Sequence, residues 1–328
     1  MRIFLTGATG YIGSALARRL VQEGHEVRAL VRPSSDCEEL HRLGVACFVG
    51  DLRDRSGMRE GMSGADWVVH AAAELDLAAD SERMHAANVQ GSENVASLAF
   101  KLGVPRFLSV SSIARFGGSP PDGSLATEEQ PPMLPYPTRY AATKALGDEA
   151  VQAWAKRGLP VVTVYPALVY GPPPKRRGAN AILAQLYRGK FPFLVGGGRK
   201  SSWIYLEDLV EALVRLIERK EARGRFLLAG DVTTTRELAE RIFQLGGAPP
   251  PRWELSPGAA RVLFRILEPF YLAVGRKLPV PVEQLRSLER HWAFDDSLAR
   301  RTLAWEPRSL AEGLPLALAG LGLRPSSP

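Results

Sequence analysis

The chain has 328 residues, of which 45% are hydrophobic and 23% charged, with a formal net charge of +7. This length allows a large domain together with a smaller one, and the hydrophobic share is ordinary for a soluble globular enzyme. The basic charge is scattered and no recognition motif accompanies it, and the two cysteines and five histidines show no metal-ligand spacing, so the sequence predicts neither nucleic-acid binding nor a metal site.

No run of the sequence approaches 18 consecutive apolar residues, and residues 1–3 lead directly into the first apolar run. We therefore expect neither a membrane-spanning helix nor a signal peptide. This predicts a cytoplasmic protein without integral membrane contact. A small-molecule substrate is the expected partner, and a homodimer is left open.

The amino terminus predicts a strand, a glycine loop and a helix. Residues 2–5 are an apolar run, residues 6–13 read Thr-Gly-Ala-Thr-Gly-Tyr-Ile-Gly, and the apolar residues that follow have helical spacing. Glycines at such a turn allow close backbone approach to a pyrophosphate, and the helix N-terminus offers free N–H groups. We predict dinucleotide binding by Gly7, Thr9, Gly10, Tyr11, Ile12 and Gly13.

The second predicted strand bears on which dinucleotide binds. In NAD-binding folds of this kind an acidic residue usually ends that strand and contacts the ribose 2′-hydroxyl, whereas an arginine accommodates a 2′-phosphate. Here the strand ends at Val31 and Arg32, without an acid. The sequence therefore favours NADP(H), with Arg32 near the 2′-phosphate, and leaves NAD(H) as the alternative.

Short apolar runs alternate with helical patterns through about residue 170. Such alternation predicts βαβ units, and thus an α/β fold with a doubly wound parallel sheet of the Rossmann type. A smaller C-terminal α/β lobe is expected to bind the substrate. The predicted strands are residues 3–5, 27–31, 46–49, 67–70, 107–110 and 161–164.

Tyr140 and Lys144 are four residues apart, which places both side chains on one face of a helix. A tyrosine normally titrates near pH 10. A lysine ammonium about 4 Å away would stabilise the phenolate by roughly 4 kcal/mol at an effective dielectric near 20. We therefore expect Lys144 to bring the pKa of Tyr140 close to neutrality, so that the phenol exchanges protons with an alcohol or carbonyl.

Several further segments, taken in order, resemble the extended short-chain dehydrogenase/reductases, which include nucleotide-sugar epimerases and dehydratases. The matching segments are residues 49–52, 70–73, 87–91, 109–117, 140–144, 165–172, 294–300 and 305–308. The resemblance implies that Ser112, Tyr140 and Lys144 are catalytic and that Asn88 helps to relay protons. It also implies cofactor contacts from Asp51, Leu52, Ala71, Ala72, Ala73, Ser111, Tyr140, Lys144, Tyr165, Pro166 and Leu168.

Departures from the family pattern narrow the expected chemistry. Family dehydratases carry an Asp-Glu pair just after the serine position, where this chain has Ile113, Ala114 and Arg115. Many sugar-nucleotide epimerases have an asparagine at the position where this chain has Leu168. The pattern looks more like the dihydroflavonol-reductase and 3β-hydroxysteroid-dehydrogenase branches, whose substrates are apolar. Hopanoid-associated epimerase-like proteins share it as well.

The domain organisation is expected to follow the family. Residues 1–170 would form the NAD(P)-binding domain, with 206–230 returning to it, and residues 171–205 and 231–328 the substrate lobe. Within that lobe, the apolar segment 261–274 predicts a core or lid helix pair kinked at Pro269. A lip for lipophilic substrates, or one resting on a membrane surface, is the alternative.

The expected function is that of an NADP(H)-dependent oxidoreductase interconverting a ketone or aldehyde and an alcohol on an apolar small molecule. Tyr140 would exchange the proton, and Ser112 would orient the substrate oxygen and offset its developing charge. A nucleotide-sugar epimerase and a non-catalytic dinucleotide-binding protein are the two alternatives.

Overall fold

The computed structural model describes residues 1–75, 80–172, 178–219, 221–273 and 282–323. The strands are β1 (Arg2–Thr6), β2 (Glu26–Val31), β3 (Ala46–Val49), β4 (Trp67–His70), β5 (Phe107–Val110), β6 (Val161–Pro166), β7 (Leu168–Tyr170), β8 (Leu194–Val195), β9 (Lys200–Tyr205), β10 (Gly224–Leu228), β11 (Asp231–Thr234) and β12 (Glu254–Leu255).

The helices lie between these strands and, from residue 257 onwards, after the last of them, together with a π-helical stretch (Ala86–Gln90) and two 3₁₀ turns (Ile113–Phe116 and Ser287–Glu289). They are α1 (Tyr11–Gln22), α2 (Glu38–Arg42), α3 (Arg55–Met62), α4 (Ser81–His85), α5 (Gly91–Lys101), α6 (Arg139–Ala155), α7 (Ala179–Tyr187), α8 (Leu206–Glu218), α9 (Thr235–Gln244), α10 (Pro257–Ala273), α11 (Val282–Leu285), α12 (Ser297–Leu303) and α13 (Leu310–Gly320).

The large sheet has the strand order β10-β6-β5-β4-β1-β2-β3, and its paired strands are all parallel. The order reverses between β4 and β1. In open sheets of this type, ligands bind outside the carboxyl ends of the strands at such a reversal. The predicted doubly wound α/β fold is confirmed.

Each face of this sheet is covered by helices, because its central strands are apolar on both sides. On one face, Leu16 and Leu20 of α1 pack in a core with Leu213 of α8. On the other face, Met58 of α3 and Val151 of α6 pack against the buried side chains of the strands. The sheet is thus a rigid layer that fixes where its strand ends lie.

A second part of the chain forms smaller sheets, β11-β9-β7 and β12-β8, with helices against them. Its core contains Tyr170, Trp203 and Tyr205, which stack edge to face and pack with residues of α7, α9 and α13. That this part binds a substrate stays a prediction. In the described ranges, no helix combines the length and the apolar content needed to cross a bilayer.

Helix α10 differs from the predicted helix pair, since it runs unbroken from Pro257 to Ala273 with Pro269 inside it. Pro269 removes only one backbone donor, and water can satisfy the freed carbonyl where a helix is exposed. Residue 274 of the apolar segment 261–274 lies outside the described residues.

Candidate active site

The glycine loop lies at the reversal point of the large sheet. Gly7 follows β1 with a φ of +79°, and a Cβ atom there would lie 2.7 Å from the Ala72 nitrogen and 2.8 Å from the Ala71 oxygen. Helix α1 then begins at Tyr11 with no side-chain cap and no acidic residue in its first turn. Its first N–H groups therefore suit a phosphate, as the loop sequence predicts.

The predicted cofactor residues follow the strands of this sheet at its carboxyl edge. They follow β1 (Gly7, Thr9, Gly10, Tyr11, Ile12 and Gly13), β2 (Arg32), β3 (Asp51 and Leu52), β4 (Ala71, Ala72 and Ala73), β5 (Ser111) and β6 (Tyr165 and Pro166 as its last residues, then Leu168). The buried Ser111 hydroxyl has no hydrogen-bond partner in the described structure. Buried hydroxyls normally have a hydrogen-bond partner, so the unpartnered Ser111 hydroxyl fits a bound dinucleotide, as does the glycine loop after β1.

The side chain of Arg32 is exposed next to Asp51. The Asp51 carboxylate accepts hydrogen bonds from Nε of Arg53 (2.8 Å) and from the Arg53 backbone N–H (2.9 Å). These bonds hold the pKa of Asp51 below its usual range, and the positive charge of Arg32 acts in the same direction. The exposed guanidinium of Arg32 thus lies close to Asp51 at the carboxyl edge of the sheet, and its contact with a cofactor stays a prediction.

Ser112 and Tyr140 are brought together by two short capping interactions. The Ser112 hydroxyl accepts a hydrogen bond from the Ala114 N–H at 3.1 Å, and Ser112 thereby caps the 3₁₀ turn that follows β5. The Thr138 hydroxyl caps α6 by accepting from the Ala141 N–H at 3.1 Å. Tyr140 therefore lies in the first turn of α6, where the Ser112 hydroxyl is near enough to lower the pKa of its phenol.

The expected effect of Lys144 on Tyr140 is wrong for this structure. Burial raises the pKa of Tyr140 to about 12, against the lowering effect of the nearby Ser112 hydroxyl. The Lys144 ammonium instead donates to the Val110 carbonyl at 3.3 Å, and burial lowers its own pKa to about 8. Desolvation disfavours both charged forms, so Tyr140 is a neutral phenol at neutral pH and is suited to donate a proton.

A buried ion pair lies behind this group, and the sequence analysis did not assign it a function. Nε of Arg115 is 3.2 Å from the Asp148 carboxylate, and the Tyr165 hydroxyl lies 3.1 Å from the same oxygen. Asp148 is one turn beyond Lys144 on α6, and its charge opposes the fall in the Lys144 pKa. The four-residue spacing of Tyr140, Lys144 and Asp148 was the available signal. Tyr165 is predicted to contact the cofactor, and its hydroxyl donates a hydrogen bond to Asp148.

Asn88 is buried in the π-helical stretch, and both its side-chain oxygen and its side-chain nitrogen are hydrogen-bonded. Its oxygen accepts from the Glu74 N–H at 2.7 Å, and its Nδ2 donates to the Glu74 carbonyl and the Thr143 hydroxyl, both at 3.1 Å. Asn88 therefore joins the segment after β4 to helix α6 beside Lys144. Its part in a proton relay stays a prediction.

Comparison with known proteins gives matches over most of the chain. The model of the NAD dependent epimerase/dehydratase family matches residues 3–229. Sterol demethylase protein B of Methylococcus capsulatus is 30% identical over 314 residues, which are 94% of each chain. A 4-hydroxy-2-methyl-3-oxo-4-farnesyl-3,4-dihydroquinoline-1-oxide ketoreductase of Stigmatella aurantiaca is 29% identical over 316 residues, covering 94% of this chain and 92% of the relative.

Among solved structures, the UDP-glucose 4-epimerase of Thermus thermophilus in complex with NAD has the same fold. Its TM-score is 0.75 at 22% identity, covering 98% of this chain and 99% of the epimerase.

Proposed function

Because the chain belongs to the NAD-dependent epimerase/dehydratase family, we propose that it is an NADP(H)-dependent oxidoreductase that interconverts a ketone or aldehyde and an alcohol on an apolar small molecule. Membership confirms the resemblance to the extended short-chain dehydrogenase/reductases and the prediction of an NAD(P)-dependent enzyme. The observation that carries the proposal is the neutral Tyr140 phenol, which interacts with the Ser112 hydroxyl at the carboxyl edge of the sheet.

The glycine loop, the N-terminus of α1 and Ser111 would hold the dinucleotide. When bound, its nicotinamide supplies or accepts the hydride. In the reductive direction Tyr140 gives its proton to the substrate oxygen, and Ser112 orients that oxygen and stabilises the charge that develops on it. With a pKa of about 8, Lys144 is mostly cationic at pH 7, and it would offset the charge of the resulting phenolate once its ammonium leaves the Val110 carbonyl that it contacts in this structure.

The relatives support an apolar substrate. The names of two of them refer to a sterol and to a farnesylated dihydroquinoline oxide, both lipophilic. This chain also lacks a carboxylate at residues 113–115 and has Leu168 where many sugar-nucleotide epimerases have a polar residue. For the cofactor, the exposed Arg32 and the absence of an acid at the end of β2 support NADP(H) over NAD(H).

A sugar epimerase is the second candidate, because the epimerase from Thermus thermophilus shares the fold over nearly the whole chain. An epimerase returns the hydride to its substrate and causes no net oxidation of the cofactor. Mixing the protein with NADPH and a panel of aldehydes, steroids and flavonoid-like ketones separates the candidates. Sustained NADPH oxidation supports the reductase, whereas retained NAD(H) without net oxidation supports the epimerase.

The decisive variant is Tyr140→Phe, which removes only the hydroxyl. We expect turnover to fall by at least a hundredfold, the usual contribution of a positioned general acid, while NADPH affinity changes little. Tyr187→Phe on α7 is the matched control and should keep full turnover. Undiminished activity of the Tyr140→Phe protein would overturn the proposed mechanism.

A further inference from the structure

Helix α10 is apolar on two sides, and one of them is open to solvent. Val262, Ile266 and Phe270 are 58%, 59% and 68% exposed, and their four-residue spacing aligns them in a single row, the α10 stripe. On the other side of the helix, Ala260 and Phe264 are buried. Burial of the inner side explains why the helix docks on the chain, but it does not explain three large apolar residues in water.

Hydrogen bonds place this helix beside the segment that joins Ser112 to Tyr140. Arg261 of α10 pairs with Glu289 at 2.6 Å. The next residue, Arg290, donates to the carbonyls of Met133 (2.8 Å) and Pro135 (2.6 Å), both within that segment. The α10 stripe therefore belongs to a helix that is tied to the surroundings of the candidate active site.

Positive charge accompanies the stripe. Arg265 precedes Ile266 and is exposed, and neither Arg265 nor the exposed Arg252 has an ion-pair partner in the described part of the chain. Trp253, which follows Arg252 and precedes α10, is 78% exposed. Glu268 is the exposed acid of the helix. Exposed apolar residues with arginines and a tryptophan match a surface of lipid tails beneath anionic headgroups, and the chain as a whole carries +7.

We infer that the α10 stripe inserts into the surface of a bilayer containing anionic phospholipids. The choice of a bilayer rests in part on the proposed function, because apolar ketones and alcohols partition into lipid and would be taken up there. A second copy of the chain fits less well. Even an aromatic side chain, which is larger than valine or isoleucine, buries only about 150–250 Å². The three residues of the stripe are at most 68% exposed, so together they fall short of the roughly 800 Å² that each partner of a stable dimer buries.

The test is flotation of the full chain with vesicles of phosphatidylcholine alone or mixed equally with phosphatidylglycerol. Wild type should float with the mixed vesicles, and less so at high salt, because salt screens the arginines. The double variant Ile266→Glu/Phe270→Glu should bind at least tenfold more weakly, since it removes two apolar side chains from the lipid. The matched control Ile182→Glu/Phe243→Glu changes the same residue types at 38% and 48% exposure on α7 and α9 and should bind like wild type.

Three outcomes would overturn the inference: no flotation of wild type with the mixed vesicles, equal loss of binding in the control, or a wild-type dimer in sedimentation that the Ile266→Glu/Phe270→Glu variant dissociates. The last result would assign the stripe to a second copy. An unchanged thermal midpoint of the double variant verifies its fold. Tyr140→Phe should float normally, and the double variant should still turn over a water-soluble ketone. Failure of the membrane inference is thereby seen separately from failure of the proposed function.

Discussion

The active-site edge and helix α10 distribute charged and apolar side chains in opposite ways. At the edge, Arg115, Lys144 and Asp148 are 9%, 8% and 5% exposed. On α10, the large side chains of the stripe are turned to water. In most folded proteins charged side chains are exposed and large apolar patches are covered, so both arrangements are unusual. At the edge the buried charges contact partners within the chain, whereas the stripe presents its apolar side chains to the surroundings.

The two regions differ in what their departures do to stability. A buried ion pair is costly to desolvate, and it persists only if partners satisfy each charge. An exposed apolar residue costs little, because it remains in water in both the folded and the unfolded state. We therefore expect substitutions at the edge to affect folding and chemistry together, and substitutions on the stripe to leave folding almost unchanged.

The largest effect is expected from Arg115→Met, which leaves the Asp148 carboxylate buried without its cation. The free energy of unfolding should fall by about 3–5 kcal/mol, the usual result of breaking a buried pair from one side. Urea denaturation measures this. The control is Arg42→Met, which breaks an exposed pair with Glu38 (3.8 Å) and should cost under about 1 kcal/mol. Equal losses in the two variants would show that the Arg115–Asp148 pair is not a buried, coupled unit.

A smaller effect is expected from pH, through Lys144. Burial lowers its folded-state pKa from 10.5 to about 8. As pH rises through 8, the folded protein releases this proton while the unfolded chain keeps it until about pH 10.4. The unfolded state thus binds more protons in that window, so wild-type stability should rise there relative to a variant without the amine.

Urea denaturation of wild type and Lys144→Met at pH 7 and pH 10 tests this. The stability difference should shift by about 2 kcal/mol in favour of wild type at the higher pH. Lys101→Met, at an exposed position, should show no such shift. Parallel pH dependence of wild type and Lys144→Met would mean that Lys144 is not desolvated in the folded protein.

Local sequence patterns were sufficient for the sheet. Strands β3, β4 and β5 have the predicted bounds, because each is a short apolar run between turn residues. The carboxyl ends of parallel strands share one edge, so the predicted cofactor residues come together once the fold is known. Strand β6 continues two residues further than predicted, to Pro166 rather than 164.

The electrostatics of the site did not follow from sequence spacing. The Tyr140–Lys144 spacing predicts a lowered phenol pKa, but the structure aims the lysine at the Val110 carbonyl, and burial by distant segments dominates. The Arg115–Asp148 pair joins the 3₁₀ turn after β5 to the middle of α6; the four-residue spacing places Asp148 on the face of Lys144, but no local pattern pairs it with Arg115. Desolvation depends on everything packed around a group, which neighbouring residues in the sequence do not determine.

The smallest effect should come from Phe270→Ala, on the exposed side of α10. We expect the free energy of unfolding to change by less than about 0.5 kcal/mol, because little surface is buried there. The matched comparison is Phe264→Ala, which changes the phenylalanine on the inner side of the same helix. Phe264 is 8% exposed and its ring packs edge to face with Phe193 at 6.4 Å, so its loss should cost about 3–5 kcal/mol. Urea denaturation of both variants measures the two changes in the free energy of unfolding. A large loss for Phe270→Ala would mean that the stripe is covered by part of this chain in solution, and the contrast between the two regions would no longer hold.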